Sequence, residues 1–320
     1  MREYCLKVLY IHAYRLIYSE FDIITGMLPA STKQTIKSLK KEFDQLKIGK
    51  ESLLQVLEEA ELPERVYNSN AIENSTLTLK ETERILLELE VPRNVSVREL
   101  FEAKNLARVN EYLHSKPNLP LTIENILLLH QMLIGGINDS VAGRLRKPNE
   151  YVRVGTHIAP APEHVEQLLE NLITTFSSSH DTYFLDNIAH YHLEFERIHP
   201  FNDGNGRIGR ILINQQLAQF GYPPVIIRNK GKHRDYYPQF QKYQETQDMK
   251  ATRGMARLLS LCLQESLHKR LAYLKGLIII KLSDYSKQNN LALNAQINAA
   301  KRQTILAFRE KGVWKIGIEQ

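Results

Sequence analysis

Residues 198–210 read IHPFNDGNGRIGR, which brings an imidazole, a carboxylate, a run of turn residues and two guanidinium groups into one short stretch. Asp203-Gly204-Asn205-Gly206 is strong turn chemistry, because glycine reaches positive φ without a Cβ penalty and Asp and Asn bond to nearby backbone. The flanking stretches, DNIAHYHLEFERI and GRILINQQLAQF, space apolar residues helically, so the motif is a helix-loop-helix. At the start of the second helix four N–H groups lack intrahelical partners and the dipole favours negative charge, which makes a cradle for an anion. Arg207 and Arg210, three apart on that helix, add planar forks suited to phosphate oxygens. Asp203 offers an oxygen ligand at the mouth of such a site, where a magnesium ion shared with phosphates is expected. His199 ends the preceding helix, with the pKa range of a neutral-pH general base. Each group alone is an ordinary structural feature. Nine specified residues in twelve, however, arise by chance with a probability on the order of 10⁻¹¹ per position at average residue usage.

The elements that must position this loop are mostly helical. Apolar residues recur at three and four over 33–60, 97–115, 122–135, 163–178, 186–198 and 205–220, with Thr122, Pro162 and Gly221 as punctuation. The exception is GRLRKPNEYVRVGTHIAPAP at 143–162, whose alternation through Tyr151, Val152, Arg153 and Val154 predicts a small β-hairpin. Beyond residue 275 the pattern predicts a helix over LIIIKLSDYSK, another near 295–308 and a final strand in GVWKIGI. Together these divide the chain into an N-terminal helical region (1–50), a segment at 51–96, a core at 97–270 and a winged or helix-turn-helix type unit at 275–320.

With 320 residues and 43% hydrophobic composition the chain can bury a full core. The only cysteines, Cys5 and Cys262, lie too far apart for a zinc motif and argue against a disulfide framework. No run of eighteen apolar residues occurs, and the first residues carry charges through their apolar stretch, so a cytoplasmic protein is expected. A net charge of +6 suits phosphate ligands or nucleic acid but selects neither. Tyr and Leu stripes over 1–30 would pack on the core or on a second copy, giving a homodimer.

His199-Pro200-Phe201-x-Asp203-Gly204-Asn205-Gly206-Arg207-x-x-Arg210 resembles the complete signature of the Fic family, over roughly residues 55–265. The resemblance implies a helical Fic-type core with a β-hairpin flap, and transfer of AMP from ATP to a hydroxyl side chain of a target protein. It implies that His199 deprotonates the incoming Ser, Thr or Tyr and that Asp203 holds Mg²⁺, with Mn²⁺ as an alternative. Gly204, Asn205 and Gly206 would hold phosphates, Arg207 and Arg210 would clamp the β- and γ-phosphates, and Phe201 would anchor the loop.

Beside this motif, SNAIEN at 69–74 resembles the family's inhibitory motif, with Ser69, Glu73 and Asn74 at its defining positions. Glu73 would then pair with Arg210, and in some relatives the same Glu helps to remove AMP from modified targets. RDYYPQFQKYQ resembles the segment lining the base pocket, through Tyr236, Tyr237 and Gln244; aromatic residues there are equally consistent with core. Val152, Arg153, Val154, Gly155 and Thr156 would form a target-docking flap that pairs with an extended segment, or an ordinary edge hairpin. His192 reads as a packed core residue. Lys301, Arg302, Arg309 and Lys311 in the tail would meet DNA phosphates if the C-terminal unit reads nucleic acid. Competing readings are phosphate transfer on the same loop and a DNA-binding regulator with a vestigial catalytic domain.

Overall fold

The computed structural model describes residues 28–91 and 95–319; the stripes over 1–27 and Cys5 lie outside them. Helix α1 (Ala30–Leu46) buries Ile36, Leu39 and Phe43, spaced three and four apart. The helical spacing over 33–60 is divided between two helices, because Gly49 takes φ +73° and turns the chain into α2 (Glu51–Ile72). A capping box between Thr78 and Glu81 starts the short α3 (Leu79–Glu83). Ser96 and Thr122 cap α4 (Val97–Ser115) and α5 (Ile123–Ile134) by accepting the amides of Glu99 and Asn125. The expected hairpin is present but small: β1 (Arg153–Val154) and β2 (His157–Ile158) pair antiparallel across Gly155-Thr156. Then follow α6 (Val165–Ser178), α7 (Phe184–Ile198), α8 (Asn205–Gln219), α9 (Tyr237–Thr246) and α10 (Arg253–Leu274).

Helix α7 carries the motif histidine because it is clamped on two sides. Leu185, Ile188 and Leu193 pack with α1 and α10 in one apolar cluster, whereas Tyr191, Phe195 and Ile198 pack with α4, α5 and α8 in another. A helix buried on both faces cannot rotate without exposing one of them.

The C-terminal unit differs from its sequence reading in detail. Ile278–Lys281 is strand β3 rather than the start of a helix, and α11 (Leu282–Gln288) begins only afterwards. Three consecutive isoleucines favour extended backbone, and they pair with β5 (Val313–Ile318) in the register Ile278↔Ile318. Helix α12 (Leu293–Lys301) stops short of 308, and the chain re-enters as β4 (Ala307–Glu310), giving the sheet order β3-β5-β4. Leu282, Ala300, Ala307 and Ile316 form the unit's own small core. Among the described residues no helix is long and apolar enough to cross a membrane, and Cys262 is a buried free thiol.

Candidate active site

The loop between α7 and α8 is held from within and from both flanks. His199 ends α7 in the left-handed conformation, φ +51° and ψ +63°. Arg146 secures this turn: its guanidinium donates to the His199 carbonyl at 2.8 Å and the Pro160 carbonyl at 2.8 Å, and its amide donates to the Pro200 carbonyl at 3.0 Å. Phe201 is fully buried and stacks on His130, ring centroids 3.7 Å apart and planes 7° from parallel. His130 Nδ1 accepts the Gly143 N–H at 3.0 Å, so its proton sits on Nε2 and donates to the Asp203 carbonyl at 3.0 Å. Gly204 caps α8 at φ +83°, where a Cβ would come within 2.9 Å of Ile134. Asn205 turns its side chain into the loop, accepting the Phe201 N–H at 2.9 Å and donating to the Phe201 carbonyl at 2.8 Å.

His199 Nδ1 lies 3.3 Å from the Glu196 carbonyl, which can only accept, so the proton is on Nδ1 and Nε2 keeps its lone pair. Burial pushes the imidazole down to about 4, with Arg146 working in the same direction, so the ring is neutral at pH 7. Behind it, burial and the nearby Glu73 push the Glu196 carboxyl up to about 8, and its Oε1 has no hydrogen-bond partner among the described residues. His192 is core, as expected: it is 1% exposed, and its Nε2 lies 2.8 Å from the Tyr236 hydroxyl.

A cleft of about 380 Å³ opens over the loop, with His199, Asp203, Gly206, Arg207 and Glu73 in its lining. Arg98 and Arg207 both hold the Asp203 carboxylate, at 2.7 and 3.0 Å, and Arg207 also reaches Glu102 at 3.2 Å. Asp203 offers the cleft a hard oxygen donor, and no group of three or more metal-ligating side chains exists among the described residues. That donor set fits Mg²⁺, which keeps most of its waters and takes one or two carboxylates beside substrate phosphates.

The SNAIEN segment ends α2 on the rim of this cleft. Buried Arg210 donates to Ser69 Oγ at 3.0 Å, to the Ser69 carbonyl at 2.9 Å and to Glu73 Oε1 at 2.8 Å. Burial is the largest single influence and opposes the guanidinium charge, but Glu73 and Tyr236 together outweigh it and raise the Arg210 pKa. The Glu73 carboxylate also lies directly on Gly206, where a Cβ would approach Oε1 to 2.2 Å. Thus the chain's own carboxylate sits on the first turn of α8, where the dipole is positive. Asn74 takes φ +67°, a conformation that suits Gly and Asn.

Several residues essential to this arrangement gave no sequence signal. Lys232 is buried, and its ammonium caps the end of α2 by donating to the carbonyls of Ala71 (2.9 Å) and Ile72 (3.0 Å) and to Asn74 Oδ1 (2.9 Å). Tyr237, expected in a base pocket, donates its hydroxyl to the Ile72 carbonyl at 2.6 Å, and Tyr236 is buried behind Arg210. Gln244 is half-buried on α9. His130 and Arg146 are isolated in sequence and become part of the loop only through folding.

At the hairpin, His157 Nε2 bonds the Arg197 carbonyl at 2.9 Å while Val154 and Ile158 are exposed. Of the basic tail residues, Arg309 pairs with Glu265 at 2.5 Å and lies 4.5 Å from the Trp314 ring centroid. Lys311 pairs with Glu83 at 2.9 Å, and Lys301 and Arg302 are exposed.

The helical fold and the loop geometry together define a helix-loop-helix whose second helix opens its N-terminus onto a cleft, with a neutral histidine at its edge. Residues 120–217 match the Fic/DOC family. A protein adenylyltransferase Fic from Nematostella vectensis is 37% identical over 183 residues, 54% of this chain and 41% of that protein. Its namesake in Drosophila melanogaster is 30% identical over 258 residues, 78% and 51% of the two chains. Among solved structures, a Fic domain containing signaling protein from Bacteroides thetaiotaomicron has a TM-score of 0.69 at 25% identity, covering 75% of this chain and 97% of that one. Fic-1 from C. elegans has a TM-score of 0.64 at 25% identity, covering 77% and 74%. Residues 120–217 thus carry a Fic domain, and the chain has the mostly α fold of the Fic structures it resembles. It spans about half the length of the curated relatives it matches.

Proposed function

We propose that this protein is an ATP-dependent protein adenylyltransferase held back by its own Glu73. The observation that carries the reading is the convergence, in one cleft, of the unprotonated Nε2 edge of His199 with the N-terminus of α8 and Arg207. A target hydroxyl would give its proton to His199 Nε2 as its oxygen attacks the α-phosphorus. The bond from that phosphorus to the bridging α–β oxygen breaks, and pyrophosphate leaves. The amides at Gly204 to Gly206 and the two guanidinium groups would stabilise the charge on the phosphates, so catalysis is mainly positioning and electrostatics. Mg²⁺ held by Asp203 would neutralise phosphate charge in the bound nucleotide, once Arg98 and Arg207 release that carboxylate.

In the described state Glu73 occupies Arg210 and the Gly206 cradle, the positions a terminal phosphate would need. Binding of ATP with an aligned α-phosphate then requires Glu73 to leave. Because the Glu73 carboxylate stands in the cleft and is partly exposed, a second reading is supported: it would orient a water that removes AMP from a modified target.

The test compares wild type, E73G and the double variant E73G/H199A, each with Mg²⁺ and ATP labelled on the α- or the γ-phosphate. Label reaching protein from the α position only, raised in E73G and lost in the double variant, is the expected outcome. Transfer from the γ position would make the enzyme a kinase, and release of AMP from a pre-modified target by wild type would favour the reverse reaction.

A further inference from the structure

Glu64 lies nine residues before Glu73 on α2, two and a half turns up the same helix. It is 5% exposed, and its carboxylate accepts the backbone N–H groups of Lys311 and Gly312, each at 3.0 Å, and pairs with Arg228. Lys311 and Gly312 are the two-residue tip between β4 and β5, and both have positive φ, +49° and +78°. That is the geometry of a tight hairpin turn whose twist matches its strands. The hold extends one turn upstream, where Glu61 meets Arg270 at 2.8 Å and Lys269 at 3.1 Å, and Lys269 continues to Glu310 of β4 at 3.2 Å. Arg228 passes on to Glu265, which also takes the Arg309 side chain and amide. The helix that ends in Glu73 is thus fastened at its middle to the C-terminal unit, directly at Glu64 and through Lys269 at Glu61, by carboxylates with little access to water. Such groups lose their partners only at substantial cost.

We propose that the β4–β5 tip is a latch for the inhibitory helix, with Glu64 as the positioning residue that sets Ser69 and Glu73 against Arg210. The C-terminal unit is then part of the brake, and any movement that lifts the tip off α2 loosens the hold on Arg210. This rests on the reading of Glu73 as a brake.

The test uses the full chain as wild type, E73G, E64Q, K311E and E64Q/E73G. It follows transfer of α-phosphate label and deuterium uptake in peptides covering residues 66–74. E64Q keeps the size of the side chain and removes its charge; K311E changes an exposed side chain beside Glu64 and Glu83, so it leaves the fold intact if E64Q does not. The expected result is faster exchange over 66–74 in both single variants, and label transfer raised about tenfold or more in E64Q, the ratio that loss of one charge-assisted hold gives. In the E73G background E64Q should add less than about twofold, because coupled sites are not additive. Folded E64Q and K311E with exchange and transfer at wild-type levels overturn the latch, as does an E64Q effect that multiplies in full with that of E73G. If E73G itself leaves transfer unchanged while E64Q speeds exchange, the brake reading fails and the physical hold stands.

Discussion

The loop at 199–210 and the segment that covers it meet within a few ångströms at Arg210, yet they are held differently. The loop is closed from within by near neighbours, Asn205 on Phe201, four residues away, and His199 on Glu196, three away, and only braced from afar, by Arg146 at 53 positions from His199 and His130 at 73 from Asp203. The covering end of α2 is held by partners far along the chain, Arg210 at 141 positions from Ser69, Lys232 at 161 from Ala71, and Gly312 at 248 from Glu64. The difference teaches that the loop's closing bonds are short-range and only its braces remote, whereas the position of the α2 end over Arg210 rests on partners far along the chain, so a small displacement of those partners acts first on the covering segment.

The largest effect is expected at the ring that ties the loop to its remote brace, His130. Phe201→Ala removes the buried ring that stacks on His130, and should cost about 3–5 kcal/mol by thermal or denaturant unfolding. It should also abolish label transfer even in an E73G background. Retained transfer would mean that the loop keeps its shape without this anchor.

A smaller effect of opposite sign is expected at Lys232→Met, which keeps a long apolar stem while removing the cap on α2. Label transfer should rise several-fold, as expected when a charged hydrogen bond of about 1.5–3 kcal/mol is partly replaced by water. The same change in an E73G background should add little, and a fall in transfer there would place Lys232 in catalysis rather than in restraint.

The mildest effect is in the dependence of stability on pH. Burial lowers His199 and His130 to about 4 and His192 to about 3. The folded state therefore binds fewer protons than the unfolded chain below pH 6.5, and stability falls as pH drops from 6.5 towards 4. Glu196, raised to about 8, acts in the reverse sense: its folded form keeps a proton that the unfolded form loses, so stability also falls as pH rises from about 4.5 to 8. With three histidines against one carboxyl below 6.5, the melting temperature should peak near pH 6.5. In E196Q the decline above that pH should be flatter, and an unaltered slope would show that Glu196 ionises normally.

Much of the molecule was legible because its signals are short-range. Helices α4 to α8 follow from apolar spacing and caps such as Thr122, and the loop follows from turn residues and charges crowded into 199–210. The pairing of Glu73 with Arg210 was anticipated through resemblance to the family's inhibitory motif and is present at 2.8 Å. The misreadings lie where a partner is remote. Ile278–Ile280 fit either a buried helix or a strand by composition, and only the pairing with β5, some forty residues later, decides for the strand.

By itself, then, the sequence determined a helical protein with a histidine, an acid and two arginines set around an anion cradle. Those properties depend on residue type and on spacings of three and four, which the chain carries without folding. Only the tertiary structure decided that His199 is neutral and shows its Nε2 edge, because burial and the Glu196 carbonyl fix its proton. It alone joined Arg146 and His130 to the loop, and Lys232 and the β4–β5 tip to α2. A buried charge or an isolated polar side chain acquires its role from what is packed against it, and packing between distant segments is not written in local spacing.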